Sequence, residues 1–416
     1  MQKIKVGFLG CGNIGGGTWQ LLQDMHEDFL RNFEVDFEVK KMLVRALDEK
    51  RAVEVPLSLL TTDVNEIVSD PEISLVCEFM GGEQPAASFM LAALNAGKSV
   101  ITANKMALSL HWYELHEAAS RNNAGLYYEA SVCGAIPVIR TIKTAMTSGR
   151  ITKICGIVNG TTNYILTQMR ENGLAYSSAL EQAQQLGLAE PDPTSDVEGY
   201  DAAYKLCILS ALCFGAYAHP ESISRRGITD VDITDISIGS RLGLSLKLIA
   251  KAEKRDGKIF ARVSPAFVAA DNQLSHVNGS FNAVLIHNHA SDDIFLYGRG
   301  AGAYPTASAI VADMIAYTRS GNVLGLYESD AEVCKESTDC SYYIRLPEGH
   351  THECSVCACE AFGKDTFELH HIILENNEYD VLLTEEISAD RVEKFCTAVN
   401  ASVCENAVVW PVEGRI

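Results

Sequence analysis

No stretch of this 416-residue chain reaches the roughly 20 consecutive apolar residues that a membrane-spanning helix requires. Cations are scarce: 34 lysines and arginines face 54 aspartates and glutamates, a formal net charge of −20 at pH 7. That balance excludes a phosphate-tracking nucleic-acid binder, which needs clustered Lys and Arg. The opening residues MQKIKVGFLG lack the apolar core and small-residue cleavage site of a secretory signal, so a cytoplasmic location is expected. Internal repeats and low-complexity tracts are missing too. The thirteen cysteines are odd in number and scattered, which points to reduced thiols rather than a disulfide framework. Cys11, Cys77, Cys133, Cys155, Cys207 and Cys213 sit among apolar or glycine-rich neighbours and are expected as small core fillers. What is present is a globular composition, 47% hydrophobic and 21% charged. At roughly 100–200 residues per domain the chain has room for two to four domains.

Residues 1–130 alternate short apolar runs with helical stretches. KIKVGFLG, FEVKKMLVR, ISLVCEFMGG, KSVITANK and GLYYEASV read as strands. NIGGGTWQLLQDM and PAASFMLAALNAGK read as helices, the second stopped by Gly97. This alternation predicts an α/β fold with a doubly wound parallel sheet of Rossmann type. Over 131–320 the pattern becomes an α+β substrate domain. Helices are expected at IPVIRTIKTAMTS, DAAYKLCILSALCF and LSLKLIAKAEK, and strands at KICGIVNG, FARVSPAFV, NAVLIHN and DIFLYG. TASAIVADMIAYTR, residues 306–319, is expected as a closing helix that returns to the first domain. Residues 321–339 mix Gly, Ser and charges and read as a linker. From 340 to 416, the strands SYYIRL, FELHHIILEN, EYDVLLTEE and SVCENAVVWPVE and the helix SADRVEKFCTAV predict a small βαββαβ module.

GCGNIG, Gly10 to Gly15, matches G-x-G-x-x-G and stands between a strand and a helix. In that context the glycines allow a tight turn, and the helix N-terminus receives a pyrophosphate. Gly10, Gly12, Asn13, Ile14 and Gly15 are therefore cofactor-binding candidates. NAD enzymes usually carry an acid on the ribose at the end of the second strand. Here Arg45 stands in its place, followed by Lys50 and Arg51. A cation there suits the 2′-phosphate of NADP, with NAD as the alternative; a solvated basic patch is the plain reading of Lys50 and Arg51. TANK, residues 102–105, ends another strand and directs Lys105 toward cofactor or substrate.

EPDPTSDVEGYDAAYKL crowds Glu190, Asp192, Asp196, Glu198 and Asp201 ahead of one cation, Lys205. Ser195 and Glu198 have the spacing of a capping box, which predicts a helix starting near Ser195. Asp201 and Lys205, four apart, share one face of it at the edge of an apolar stripe. Such a pair is either an ordinary salt bridge worth about 0.3–0.5 kcal/mol or a catalytic acid held charged by its neighbour. Asp192 and Asp196 are expected as plain loop and helix-start carboxylates. Further on, His350, His352, Cys354, Cys357 and Cys359 form half of a zinc-like pattern, or else a short amphipathic element with incidental cysteines.

Several segments together resemble the homoserine dehydrogenase family: GIVNGTTNYILTQM, EPDPTSDVEGYDAAYKL and GRGAGAYPTASAIVADM, with TTDVNEIV, VITANK and YEASVCGAIPVIRT in the same order. The resemblance covers about residues 1–320. It implies interconversion of L-homoserine and L-aspartate 4-semialdehyde with NAD(P), on the route to threonine, methionine and isoleucine. It further implies Lys205 as proton donor, and Asp201 and Glu190 as substrate-binding carboxylates. Lys105 becomes a catalytic and cofactor-side lysine, and Asn159, Gly160 and Thr161 the substrate loop. Gly187 and Gly302 become glycines that approach the cofactor. Glu129, Val132, Gly134 and Ile136 become the holders of a structural sodium ion. The family usually reads V-A-G-G-I-P where this chain has VCGAIP, and proline where it has Arg299. The C-terminal module resembles an ACT regulatory domain with an amino-acid effector, although PEGHTHECSVCACEAFG replaces the usual D-x-P-G turn. A homodimer built through the middle domain is implied as well. Two other readings compete: a related oxidoreductase acting on another amino acid, and a cofactor-binding regulator without catalysis. The intact Lys105, Glu190, Asp201 and Lys205 speak against the last.

Overall fold

The computed structural model describes residues 1–51, 53–320, 332–334 and 339–414. The chain folds into two compact units. The first is built from Met1–Ile151, Tyr204–Pro220 and the segment that begins at His287; the second from Thr152–Ala203, Glu221–Ile286 and the C-terminal segment.

Six short strands make the sheet of the first unit: β1 (Gln2–Leu9), β2 (Val35–Leu43), β3 (Leu60–Thr61), β4 (Leu75–Glu78), β5 (Ser99–Thr102) and β6 (Leu126–Tyr127). They lie in the order β3-β2-β1-β4-β5-β6 and pair in parallel throughout. Parallel strands covered on both faces need apolar residues on both, and Val6, Phe8, Leu9, Leu75, Val76 and Ile101 are all buried. The strand order reverses between β1 and β4, which opens a crevice at their carboxyl ends. The helix Ala303–Ser320 packs on the helix Asn13–Asp24, and its Ala309, Ile310, Val311 and Met314 share one core with Val6, Phe8 and Met42. A methyl group on Gly17 would stand 3.2 Å from the backbone of Ala303, so the two helices meet backbone to backbone. The strand expected over GLYYEASV ends at Tyr127; a 3₁₀ turn, Glu129–Ser131, follows.

The remaining strands are β7 (Ile151–Ile157), β8 (Ser224–Arg225), β9 (Leu244–Arg255), β10 (Lys258–Ala269), β11 (Phe281–Asn288), β12 (Asp292–Arg299), β13 (Val333–Cys334), β14 (Ser341–Arg345), β15 (Phe367–Leu374), β16 (Asn377–Thr384) and β17 (Val408–Glu413). In the second unit they form a mixed sheet in the order β11-β7-β9-β10-β17-β14-β16-β15, with β8 and β13 also paired to β10. LSLKLIAKAEK, expected as a helix, is the strand β9. The spacing of four between Lys247 and Lys251 fits one helix face, but it is also an even number, so both lysines share one strand face. Both are buried there. The turn into β10 carries Asp256 at φ 49° and Gly257 at φ 79°, the left-handed pair of a two-residue hairpin.

Residues 341–413 follow the expected βαββαβ order: β14, helix Thr351–Phe362, β15, β16, helix Ala389–Val403, β17. The order β17-β14-β16-β15 is that of a ferredoxin-like split βαβ arrangement. Phe362 and Phe395 meet between its helices, ring centroids 5.0 Å apart. The His- and Cys-rich segment forms the first of these helices and buries Cys354 and Cys357 in that core. Among the described residues no group of three or more His, Cys, Asp or Glu is arranged to hold a metal. The linker expected over 321–339 lies outside the described residues, except 332–334 and 339.

The module does not keep its sheet to itself. β17 pairs with β14 on one side and, in parallel, with β10 on the other. At this seam the buried Glu413 carboxylate accepts from Lys251 Nζ at 3.0 and 3.1 Å and from the Arg262 guanidinium at 2.5 Å. Nearby, Arg345 donates to the buried Asp235 at 2.6 and 3.1 Å, with the Tyr343 hydroxyl at 2.9 Å. Burial alone would raise the Glu413 carboxyl; Lys251 and Arg262 outweigh it and hold it below the usual glutamate value. Glu413→Ala leaves two buried cations without their anion and should cost about 3–5 kcal/mol, read as a lower guanidinium midpoint. Because the folded value is depressed, this stabilisation is present above pH 4.5 and is lost as the pH falls through the folded value. The gap between wild type and variant should therefore narrow in acid.

Candidate active site

β1 ends at a glycine-rich turn that no other residue could trace. Gly10 has φ +109°, and a methyl on Gly15 would stand 2.6 Å from the Gly10 carbonyl oxygen. A methyl on Gly12 would meet nothing within 4 Å, because Gly12 faces open space. That space is a cavity of about 780 Å³. Gly10, Gly12 and Asn13 form one wall, Leu43, Val44 and Arg45 from the end of β2 another, and Phe79, Met80 and Gly81 from the end of β4 a third. No side chain caps the helix that starts at Asn13, so its first N–H groups are left to a ligand. The turn, the open face at Gly12 and the cavity fit a dinucleotide. Ile14, Gly15, Lys105, Gly187 and Gly302 do not line the cavity.

Arg45 is 90% exposed and pairs with Glu49 at 2.9 Å. Arg51 plays a different part. Its guanidinium donates to the carbonyls of Ala46, Leu47 and Glu49 and ties the loop after β2 to itself. Lys105 is the first residue of the helix Lys105–Leu110, which Asn104 caps by accepting the Ala107 N–H at 3.0 Å. Gly187 at φ +69° and Gly302 at φ +121° both occupy backbone that favours glycine. The Gly302 carbonyl accepts from Thr306 N–H at the start of the closing helix.

The substrate-loop candidates converge on Asn159. Its carboxamide N–H₂ donates to Asp196 Oδ1 at 2.7 Å and to Asp201 Oδ2 at 2.9 Å. Its oxygen accepts from Thr162 N–H at 2.8 Å and Thr162 Oγ1 at 2.9 Å, capping the helix Gly160–Asn172. Both donors and both acceptor sites are used, so the side chain has one orientation. Gly160 packs where a methyl would stand 2.7 Å from the Ser280 carbonyl, and Thr161 Oγ1 donates to Leu188 O. The same helix is anchored from below. Asn163 donates to the Val277 and Phe281 carbonyls, and the buried Lys247 donates to Val277 O at 2.6 Å and Asn278 Oδ1 at 3.0 Å. Burial pushes the Lys247 ammonium down to about 7.

Asp201 and Lys205 stand one turn apart on the helix Tyr200–Phe214, and both are buried. That helix does not start near Ser195. A four-residue helix, Thr194–Val197, ends at Gly199, whose φ of +80° breaks the run. Glu198 accepts from the Thr229 hydroxyl rather than closing a capping box. Asp192 keeps the plain role, accepting from Thr194 N–H and Oγ1. Asp196, expected to be as plain, is instead half of the pair that holds Asn159. Glu190 is exposed on the loop after the helix Tyr176–Gln185.

Glu129 and the loop after it form a second buried polar centre. The Glu129 carboxylate accepts the N–H groups of Ile139 at 2.9 Å and Arg140 at 2.8 Å. Its own N–H donates to Asp313, which also takes the Arg140 guanidinium at 3.1 Å. Burial, reinforced by Asp313, pushes Glu129 up to about 7, and burial raises Asp313 to about 6. Asp313 and Arg140 lie 173 residues apart, and no local pattern announces the pair. Cys133 and Gly134 are both left-handed, at φ 56° and 53°. A methyl on Gly134 would stand 2.6 Å from the Gly300 carbonyl oxygen. The loop around buried Val132 and Ile136 is thus irregular backbone away from water, whose carbonyls suit a hard cation.

A parallel sheet in Rossmann order, with a dinucleotide cavity at its switch point and an α+β unit beside it in sequence, defines a nicotinamide-dependent oxidoreductase. Comparison with known proteins gives the family. Residues 10–129 match the model of the homoserine dehydrogenase NAD-binding domain, and residues 137–315 match that of homoserine dehydrogenase. The homoserine dehydrogenase of Bacillus subtilis is 40% identical over 320 residues, 77% of this chain and 74% of that protein. The crystal structure of a homoserine dehydrogenase from Thiobacillus denitrificans superposes with a TM-score of 0.92 at 32% identity, covering 99% of both chains. A hyperthermophilic archaeal homoserine dehydrogenase in complex with NADPH superposes at 0.66 with 27% identity, covering 78% of this chain and all of that one. The chain belongs to the homoserine dehydrogenase family. It is an NAD(P)-dependent oxidoreductase that interconverts L-homoserine and L-aspartate 4-semialdehyde. Neither the inactive regulator nor another amino-acid substrate is favoured.

The Asn159 network predicts an order of damage. Asn159→Ala loses a helix cap, worth about 1 kcal/mol, and leaves Asp196 and Asp201 without their shared donor. Asn159→Asp keeps the cap but adds a third carboxylate to the pair, so its thermal midpoint at neutral pH should fall below that of the alanine variant.

Proposed function

We propose that Lys205 moves the hydroxyl proton of homoserine and that Asp201 and Lys105 complete the catalytic group. The observation that carries this reading is the Asn159 carboxamide, which fixes Asp201 one helical turn before a buried Lys205. Bound NADP supplies the hydride acceptor. As the alcohol is oxidised, Lys205 Nζ takes the hydroxyl proton and the carbon gives up its hydride; on reduction of the aldehyde the ammonium returns that proton to the carbonyl oxygen. Asp201 stands one helical turn before Lys205 and completes the polar face presented to the substrate. Glu190, Asn159, Gly160 and Thr161 orient the amino-acid end of the substrate, with Glu190 toward its ammonium. Lys105 serves cofactor and substrate from the end of β5. Gly187 and Gly302 let backbone approach the nucleotide.

NADP is the preferred cofactor. Arg45 lines the cavity at the end of β2, where NAD enzymes carry an acid, and its partner Glu49 can yield it to a 2′-phosphate. The relative solved with NADPH supports the same preference. The carbonyls of Glu129, Val132, Gly134 and Ile136 would hold a sodium ion, which would fix the loop's backbone in place. We assign residues 1–130 to nucleotide binding, 131–320 to substrate and to homodimer formation, and 340–416 to an ACT-like module that takes an amino-acid effector. No helix of the described residues is long and apolar enough to cross a membrane. We assign the enzyme to the cytoplasm.

Absorbance of the reduced cofactor, followed with homoserine and each nucleotide, tests the assignment. Lys205→Ala should lower kcat by roughly 10²–10⁴-fold and leave NADPH binding in place. Loss of nucleotide binding in its stead would remove the proton role. Arg45→Ala should raise KM for NADP far more than KM for NAD; equal changes would refute the cofactor preference.

A further inference from the structure

Glu78 closes β4 and is wholly buried. Its Oε1 accepts the Met80 N–H at 2.6 Å and Asn104 Nδ2 at 3.4 Å, and its Oε2 accepts the Thr102 hydroxyl at 2.6 Å. The Gly81 N–H is also directed at it. Thr102 Oγ1 in turn accepts Asn104 N–H at 2.9 Å. Asn104 Nδ2 donates to the Gly82 carbonyl at 2.7 Å, and its oxygen caps the helix that begins with Lys105. One carboxylate thus ties two strand-end loops together. The first carries Phe79, Met80 and Gly81, a wall of the nucleotide cavity. The second runs from Thr102 to Lys105.

Why a carboxylate stands here follows from counting donors. Four neutral donors converge on the side chain, and only a carboxylate offers acceptor sites in every direction and no donor of its own. Glutamine has the same shape but one acceptor oxygen; with that oxygen on Met80 N–H and Asn104, its N–H₂ would face the Thr102 hydroxyl, which would lose its acceptor. An apolar residue would leave those donors buried and unpaired. The charge comes at a cost, since burial pushes the Glu78 carboxyl above its ordinary range while Thr102, Met80, Asn104 and Gly81 oppose that. Two of its four partners, Met80 and Gly81, line the nucleotide cavity, and the other two, Thr102 and Asn104, lead into the helix that begins with Lys105.

We propose that Glu78 is a positioning residue: it sets the wall at Met80–Gly81 against the dinucleotide and, through Asn104, the start of the helix that presents Lys105. The second half rests on the assignment of Lys105 made above; the first does not. Glu78→Gln should raise the NADPH dissociation constant about tenfold or more and lower kcat, as expected when charge-assisted hydrogen bonds are lost from the loop that walls the cavity. NADPH fluorescence titration and steady-state rates read the two effects separately. Glu78→Asp, which keeps the charge, should recover part of both. In a double-mutant cycle, Glu78→Gln with Asn104→Ala should lower kcat no further than Glu78→Gln alone, because the two act as one unit. Multiplicative losses would overturn the route through Asn104. Should Glu78→Gln fail to fold, Thr102→Val removes one donor at nearly constant volume. It also takes away the acceptor of Asn104 N–H, so the thermal midpoint should fall, and it should still weaken NADPH severalfold. Unchanged NADPH affinity in either folded variant overturns the proposal. An unimpaired Lys105→Ala would instead remove the Lys105 assignment and leave the nucleotide half standing.

Discussion

The first unit depends on a close approach of two helices, where Gly17 has no side chain and Ala303 only a methyl. Gly17 lies so close to the backbone of Ala303 that a methyl would not fit at ordinary distance. This approach lets the helix Ala303–Ser320, from a far part of the sequence, lie in the core beside β1 and β2. Much follows from its placement. Asp313 on this helix takes the Glu129 N–H and the Arg140 guanidinium, and so fixes the turn from which the loop to Ile136 departs. Gly302, just ahead of the helix, opens it with a carbonyl for Thr306. The core of the first unit is therefore not complete at residue 130.

Charge is placed inside this protein at a few points, and each is satisfied in its own way. Glu413 meets two cations. Lys247 donates to a carbonyl and to an amide oxygen, and burial lowers its ammonium. Glu78 accepts from neutral donors. The distinction matters for function. A charge cancelled by an opposite charge is a fastener, whereas one held by neutral dipoles keeps its field available to a ligand.

The fold class was legible because local signals agreed. A glycine-rich turn stood between an apolar run and a helical stretch, and strands alternated with helices in register with it. The loop proposed for the substrate stood out as a motif, and its Asn159 does meet Asp201 in the structure. Failures came where a local pattern had two solutions or none. Lysines four apart satisfied a helix and a strand equally, and the Asp256–Gly257 pair, a strong hairpin signal, would have decided for the strand. Ser195 and Glu198 had capping-box spacing, yet Gly199 ended the short helix before it could join the next. Asp196 gave no sign of its tie to Asn159, nor Asp313 of its tie to Glu129, because long-range contacts leave no mark on nearby residues.

The position of β17 has a consequence for how the protein is made. It lies between β10 and β14, yet it comes after every other described strand in sequence. During synthesis the seam of the second sheet stays open until residue 413 has left the ribosome. Until then β14 and the Phe267–Val268 end of β10 each offer an unpaired edge, the kind of surface on which nascent chains stick to one another. Lys251 and Arg262 wait over the same interval without their carboxylate. The last of the described strands thus acts as the latch of this seam, and the nascent chain is more in need of protection until it arrives.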